Sequence, residues 1–364
     1  MCPLYLWKME SFRKTFSWIL FPLTIWYGIG MWIRNLLFDL GVLPQRTFKA
    51  TTISVGNLAC GGTGKTPHVE YLIRLLSKDY LTAFVSRGYM RQTKGLVVDD
   101  GSHDYAQLGD EPSMVAAKFP DVAVAVSEKR AVALDYLLSQ SEPPQLVLLD
   151  DAYQHRYVKP HLNILLTDYN HLYNADHVLP FGNLREFRSG RSRANIIIVT
   201  KTPQHIGPIE RRGIVQSLKP YSYQKVFFSS IHYGDIYSLA TGEKALLSDF
   251  SQVLLLTGIA NPAPMLRYVK KSCKVTPLSF PDHHNFTEED LEQIVSKFES
   301  LSSDRCIILT TEKDSVRLMH QKRLSQLPIY VLPIEVEISS NENYDFDEVV
   351  KSFVKENCSF QARL

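Results

Sequence analysis

Residues 55–67 read Val-Gly-Asn-Leu-Ala-Cys-Gly-Gly-Thr-Gly-Lys-Thr-Pro. An apolar, β-branched run precedes them and a helical pattern follows. Proline at position 67 suits the first turn of a helix, where an amide hydrogen is not needed. In this setting Gly61, Gly62 and Gly64 let successive backbone N–H groups around Thr63 converge on phosphate oxygens. Lys65 would reach the β- and γ-phosphates, and the Thr66 hydroxyl could ligate Mg²⁺. The usual pattern begins with a further glycine, and that position is Ala59 here. The chemistry indicated is nucleoside triphosphate binding, with no statement yet of what is done with the triphosphate.

A second chemical signal is Leu146-Val-Leu-Leu-Asp-Asp151. An apolar strand ending in aspartate presents a carboxylate to a metal beside bound phosphates. Asp150 and Asp151 are both candidate Mg²⁺ ligands. Successive side chains on a strand point to opposite sides, so one faces the metal and the other faces substrate or a helix N-terminus.

The elements that must position these residues alternate. Short apolar runs at 52–55, 83–86, 122–126, 146–149, 163–166, 196–200, 253–257, 307–310 and 329–332 read as strands, several without any polar interruption. That is the pattern of parallel strands covered on both faces. Helical patterns such as 67–76 and 129–138 lie between them. The fold class expected is α/β: a P-loop NTPase-like, mostly parallel sheet domain over 51–222 and a smaller doubly wound α/β domain over 223–364. The boundary is set where apolar periodicity lapses around 203–225.

The chain has 364 residues, 45% hydrophobic and 21% charged, which excludes disordered and fibrous classes. Five scattered cysteines without any CxxC argue against a disulfide framework or a zinc site. The net charge is +2, yet residues 1–50 carry six basic residues against Glu10 and Asp39. No nucleic-acid footprint is present. All four tryptophans (7, 18, 26 and 32) also lie there, around an uncharged run at 16–33. A spanning helix needs about 20 such residues, with a lower limit near 17. Pro22, Gly28 and Gly30 weaken a continuous helix. No cleavable signal peptide is expected. Residues 1–50 are therefore read as an N-terminal membrane-associated segment, with residues 16–33 lying in or dipping into the interface; a true span and a buried helix of the core stay open as the other readings.

Eight segments occur in one order: VGNLACGGTGKTP, SRGY (86–89), LGDEP (108–112), DDAYQHR (150–156), LPFGNLRE (179–186), TGIANP (257–262), FPDHHNF (280–286) and TTEKDSVR (310–317). Together, over about residues 12–333, they resemble the tetraacyldisaccharide 4′-kinase family of lipid A biosynthesis. The resemblance implies transfer of the ATP γ-phosphate, with Mg²⁺, to the 4′-hydroxyl of an acylated disaccharide 1-phosphate at the cytoplasmic face of a bacterial inner membrane. It implies a lipid substrate and a membrane surface as partners, and no obligate protein partner. Departures from the family's pattern are Ala152-Tyr153 for Gly-Phe, Asn183 for Pro, and Met90 where Gly is frequent.

The resemblance also implies roles. Asp110, which could otherwise be a simple helix cap, becomes a catalytic residue with Lys65, expected to accept the sugar hydroxyl proton. His283, preferred over His284, supports it from the second domain. Tyr89, Glu111 and Arg185 are expected at substrate or phosphate, and Glu186 at the metal or as an orienting partner. Lys201 is expected to approach the nucleotide, and Lys313 and Asp314 to tie the two domains. Two other readings stay open: a membrane-associated P-loop ATPase acting as a switch, and a small-metabolite ligase.

Overall fold

A computed structural model describes residues 17–301, 305–319, 321–340 and 344–361. The basic residues Lys8, Arg13 and Lys14, with Trp7 and Phe16, lie outside the described residues. In chain order, helix α1 (Ser17–Asp39) leads to strand β1 (Thr51–Asn57), helix α2 (Lys65–Leu76) and β2 (Thr82–Ser86). Then come β3 (Val97–Val98), α3 (Tyr105–Leu108), α4 (Asp110–Lys118), β4 (Ala123–Val126), α5 (Arg130–Leu138), β5 (Leu146–Asp150) and β6 (Leu162–Asp168). Next are β7 (Ile196–Thr200), α6 (Pro208–Leu218), β8 (Lys225–Tyr233), β9 (Ile236–Ser238), β10 (Lys244–Ala245) and β11 (Gln252–Thr257). The chain ends with α7 (Ala263–Val269), β12 (Lys274–Ser279), α8 (Glu288–Glu299), β13 (Cys306–Thr311), α9 (Glu312–Leu318), β14 (Ile329–Leu332), β15 (Ile334–Ser339) and α10 (Phe346–Gln361).

Two sheets result. The first has nine strands in the order β15-β8-β7-β6-β1-β5-β2-β4-β3, and the second has six in the order β10-β9-β14-β13-β11-β12. In the first, the strands from β8 to β4 run parallel, and only the edge strands β15 and β3 are antiparallel. Its apolar runs serve two layers in alternation. Leu146 and Leu148 pack with α2, whereas Val147 and Leu149 pack with α5. Burial on both faces is what keeps polar residues out of these strands.

The sheets do not follow the expected division at residue 222. Strand β8 completes the parallel run of the large sheet, β15 pairs with it over six positions, and Phe346, Val350 and Val354 of α10 join the core beneath β1 and β5. The six-stranded sheet is thus an insertion between β8 and β15. β8 and β15 carry polar residues among the apolar ones, unlike the uninterrupted central strands. Their membership is set by pairing across roughly a hundred residues.

Helix α1 is continuous over 23 residues despite Pro22, Gly28 and Gly30. Gly28 lets the Phe187 ring lie close against α1: a Cβ there would meet its Cζ at 2.6 Å and push the ring aside. One side of α1 is docked. Tyr27 Oη donates to the Arg185 carbonyl at 2.7 Å, Asn35 Nδ2 to Glu186 Oε2 at 2.8 Å, and Arg34 Nη2 to the Gln154 carbonyl at 3.0 Å. The other side leaves Trp18, Phe21, Leu23, Trp26, Ile29, Trp32 and Ile33 exposed, with Trp26 at 73%. Among the described residues, no helix is long and apolar enough to cross a membrane.

Candidate active site at the facing carboxyl edges

The carboxyl ends of β1, β2, β5, β6 and β7 lie along one edge of the large sheet, the edge where open α/β sheets bind ligands. Beyond β1, Gly61 (φ 109°) and Gly64 (φ 86°) adopt left-handed conformations that only glycine takes freely. Gly64 caps α2, so the amides of the loop and the positive end of the helix share one concavity. The loop is braced from behind. Asn57 Nδ2 donates to Thr63 Oγ1 at 2.9 Å, and His68 joins the Gly64 carbonyl through Nδ1 at 2.6 Å to Ser229 through Nε2 at 2.8 Å. Lys201, itself at φ 57°, donates to the Gly62 carbonyl at 2.5 Å and to Asp168 at 2.7 Å. It therefore braces the loop from β7.

The two aspartates diverge: β5 ends at Asp150, and Asp151 lies just beyond it. Asp151 has φ 44°, which turns its carboxylate toward Lys65 Nζ at 3.7 Å and Arg185 Nη1 at 2.9 Å. Burial raises its pKa, but the charges of Lys65 and Arg185 outweigh that and hold it below the usual carboxylate value. Asp150 is buried with only Ser86 Oγ near Oδ2 at 3.4 Å, and its Oδ1 has no hydrogen-bond partner. Burial, then the charge of Asp151, push it up to about 7 against the pull of Lys65. A partnerless, desolvated carboxylate oxygen beside a phosphate loop is a fitting ligand for a hard cation. Mg²⁺ typically takes only one or two protein carboxylates, with waters and phosphates completing the set. Asp150 therefore fits the group, with Thr66 near it at the start of α2, while Asp151 would join them once bound phosphates draw Arg185 and Lys65 away from it.

Glu186 does not join them. It is 1% exposed, and its two oxygens accept from Asn35 Nδ2, Gln154 Nε2 and Arg193 Nη2. Its link to Asp151 runs only through Gln154 and Arg185. The expected metal contact is thereby corrected: donors from three segments consume the carboxylate, which fastens α1 to the site loop. Among the described residues no cluster of three His, Cys, Asp or Glu side chains could hold a metal unaided.

The segments at the carboxyl edge of the second sheet meet helix α4 of the first unit. The segment after β12 carries Asp282 and His283, and α9 follows directly on β13. His283, at φ 59°, places Nδ1 at 2.8 Å from Asp110 Oδ2, a contact between residues 173 positions apart. Its Nε2 lies 3.0 Å from Lys313 Nζ, which also bonds Asp282 at 2.8 Å. A lysine ammonium can only donate, so Nε2 is the acceptor and Nδ1 carries the hydrogen given to Asp110. His284 goes elsewhere: its Nε2 contacts Asp290 at 2.8 Å, and its ring stacks on Phe280.

Asp110 is 1% exposed, and Arg317 grips both of its oxygens at 2.7 Å. Burial raises its pKa, yet the hydrogen bonds and charges of His283 and Arg317 hold it below the usual value. A buried carboxylate with every oxygen engaged is a poor proton acceptor. His283 differs: with Nδ1 on Asp110, its Nε2 is an accepting nitrogen that faces Lys313.

Around this pair, Tyr89 is 60% exposed with its ring 5.3 Å from that of His283, and Glu111 stands 3.8 Å from Lys313. Met90, where glycine is frequent in the resembled family, has φ 63°. Lys313 reaches across the cleft as expected, but Asp314 does not. It accepts from Gly258 N and Thr311 Oγ1 within its own sheet. Two residues were given no role by the sequence. Arg130, 4% exposed, places Nη2 3.3 Å from the Asp151 carbonyl, and burial lowers its pKa to about 10. Arg317 lay inside a motif without any assigned role.

Three comparisons bear on this arrangement. The profile of the family described as tetraacyldisaccharide-1-P 4′-kinase matches residues 16–355. A tetraacyldisaccharide 4′-kinase of Flavobacterium johnsoniae is 47% identical over 351 residues, covering 96% of this chain and 99% of that one. The enzyme of that name from Bacteroides fragilis (strain YCH46) is 44% identical over 360 residues, with 96% of each chain covered. A crystal structure of LpxK from Aquifex aeolicus in complex with ATP superposes with a TM-score of 0.74 at 28% identity, covering 95% of this chain and 99% of that one.

Proposed function

The chain belongs to the tetraacyldisaccharide-1-P 4′-kinase family, and on that premise we infer the following chemistry for it. It is a kinase that transfers the γ-phosphate of ATP to the 4′-hydroxyl of a tetraacyldisaccharide 1-phosphate, a step of lipid A biosynthesis yielding lipid IVA. The observation that supports this reading is the Asp110–His283 contact, which joins a histidine of the second unit to a carboxylate of the unit that carries the phosphate loop.

Gly61, Gly62, Thr63 and Gly64 cradle the phosphates, and Lys65 moves from Asp151 to the transferring group. Mg²⁺, held by Thr66, Asp150 and Asp151, would neutralise charge on the β- and γ-oxygens. Arg185 adds a second cation on the same side. The acceptor hydroxyl takes the place of Lys313 at His283 Nε2. Its oxygen attacks the γ-phosphorus, the bond to the bridging oxygen breaks, and ADP leaves. The proton passes to Nε2, and Asp110 stabilises the imidazolium through Nδ1–H. Tyr89 and Glu111 line the approach of the disaccharide.

The exposed face of α1 supports a seat at the cytoplasmic face of the inner membrane, where such a lipid lies. Tryptophan and aliphatic side chains there suit the headgroup–acyl boundary. Because α1 is bonded to Arg185 and Glu186, the lipid surface and the phosphate loop are held in one frame.

The test is γ-labelled ATP with and without detergent-solubilised disaccharide lipid. Label should pass to the lipid, and Lys65→Ala should abolish transfer at saturating ATP, since a positioned cation is worth several kcal/mol of barrier. Equal phosphate release with and without lipid would replace the kinase by a hydrolytic switch.

A further inference from the structure

Arg317 sits on α9, in the six-stranded unit; it is 4% exposed, and its guanidinium reaches both units. Nε reaches Asp110 Oδ1 and Nη2 reaches Asp110 Oδ2, both at 2.7 Å. Nη1 donates to the His284 carbonyl at 2.5 Å, and the guanidinium lies 5.8 Å from the centre of the Tyr105 ring. One planar group therefore fixes the carboxylate that bonds His283 and the backbone of the segment that carries His283. A lysine could supply the charge but not this fork.

We propose that Arg317 is a positioning residue for phosphoryl transfer: it locks Asp110 and the 282–284 segment together so that His283 Nε2 faces the acceptor hydroxyl. The inference rests on the kinase reading above. A simple rivet between the units would not need this carboxylate. The interface already has one in Lys118, which bonds Glu70 at 2.7 Å and Glu312 at 2.5 Å. Lys118 stands two turns along α4, about 12 Å from Asp110 at 1.5 Å per residue.

The charge of Arg317 matters as well as its shape. The groups facing the pair are Asp282 from the loop, Lys313 and Asp314 from α9, Glu111 from α4, Tyr89 from the segment after β2 and Tyr105 from α3. On the Asp110 side, Arg317 is the cation in contact. Without it, the carboxylate acts on the imidazole uncompensated, the protonated pair is favoured, and the base form is reached at higher pH.

The experiment compares wild type, Arg317→Met, Arg317→Lys and Lys118→Met by lipid phosphorylation across pH 5–9. Arg317→Met should lower kcat by about tenfold or more, leave KM for ATP within about twofold, and move the acid limb of kcat upward. Arg317→Lys should keep the limb in place and recover only part of kcat. Lys118→Met should leave both unchanged. If Arg317→Met does not fold, Arg317→Lys decides: lowered kcat at unchanged melting temperature and KM supports the proposal, and wild-type kcat overturns it. An Arg317→Met enzyme that matches Lys118→Met in rate and pH profile also overturns it. In both cases the wild type still phosphorylates lipid; a wild type that does not would remove the kinase reading and the proposal with it.

Discussion

Asp110→Asn changes one oxygen to an amide and keeps the shape, so its consequences follow from the contacts alone. The carboxylate takes three donors: Arg317 Nε on Oδ1, and Arg317 Nη2 with His283 Nδ1 on Oδ2. An amide offers one acceptor oxygen. If that oxygen faces Arg317, the NH₂ group faces His283, which must then accept at Nδ1 and carry its hydrogen on Nε2. The nitrogen facing the sugar hydroxyl becomes a donor and cannot take its proton. General-base assistance is typically worth about 10²–10⁴-fold, and kcat should fall by that order. The phosphate loop is untouched, so KM for ATP should hold. The buried guanidinium of Arg317 also loses its counter-charge. Breaking a buried pair typically costs about 3–5 kcal/mol, and the lower end applies because one acceptor remains. Denaturant unfolding beside single-turnover phosphorylation separates the two effects. His283→Ala should cost at least as much in rate, and the double variant little more than the worse single, as for groups acting as a unit. The reasoning is refuted if Asp110→Asn keeps its rate within tenfold, or if His283→Ala proves the milder change.

Two further outcomes are expected. Trp26→Glu, on the exposed face of α1, should weaken partition onto anionic vesicles or detergent micelles by about tenfold or more, as burial of a large apolar side chain is worth about 1.5–3 kcal/mol, without moving the melting temperature; unchanged partition would mean another surface meets the lipid. His68 is buried neutral between Gly64 and Ser229, and burial lowers its pKa to about 4. The unfolded chain therefore binds the extra proton between about pH 6.5 and 4, so stability is whole above that window and falls through it as pH drops, by at most about 1.4 kcal/mol per unit from this group. His68→Gln should flatten part of that slope in denaturant titrations, leaving the share of His155, which burial also lowers to about 4; a slope identical to wild type would contradict the buried-neutral assignment.

What the sequence determined by itself was local. The glycines at 61 and 64 demand left-handed backbone after a strand, and any chain with that spacing before a helix makes an anion cradle. Uninterrupted apolar runs such as Ile196–Thr200 and Ile329–Leu332 report burial on both faces, and both are strands with those limits. What only the tertiary structure decided was partnership. By residue type alone His283 and His284 are equivalent, and only the family resemblance preferred His283; the turn at φ 59° sends it to Asp110 and leaves His284 on Asp290. Glu186 looked like a ligand until three donors from distant segments used its oxygens. Arg130 and Arg317 carried no periodicity or spacing that marked them. The return of β15 and α10 to the first sheet was equally silent. Backbone preference and hydrophobic period act over a few residues, so they are written in neighbours. Which carboxylate is buried against which cation is set by the docking of two sheets across a cleft, where contacts join residues up to 207 positions apart.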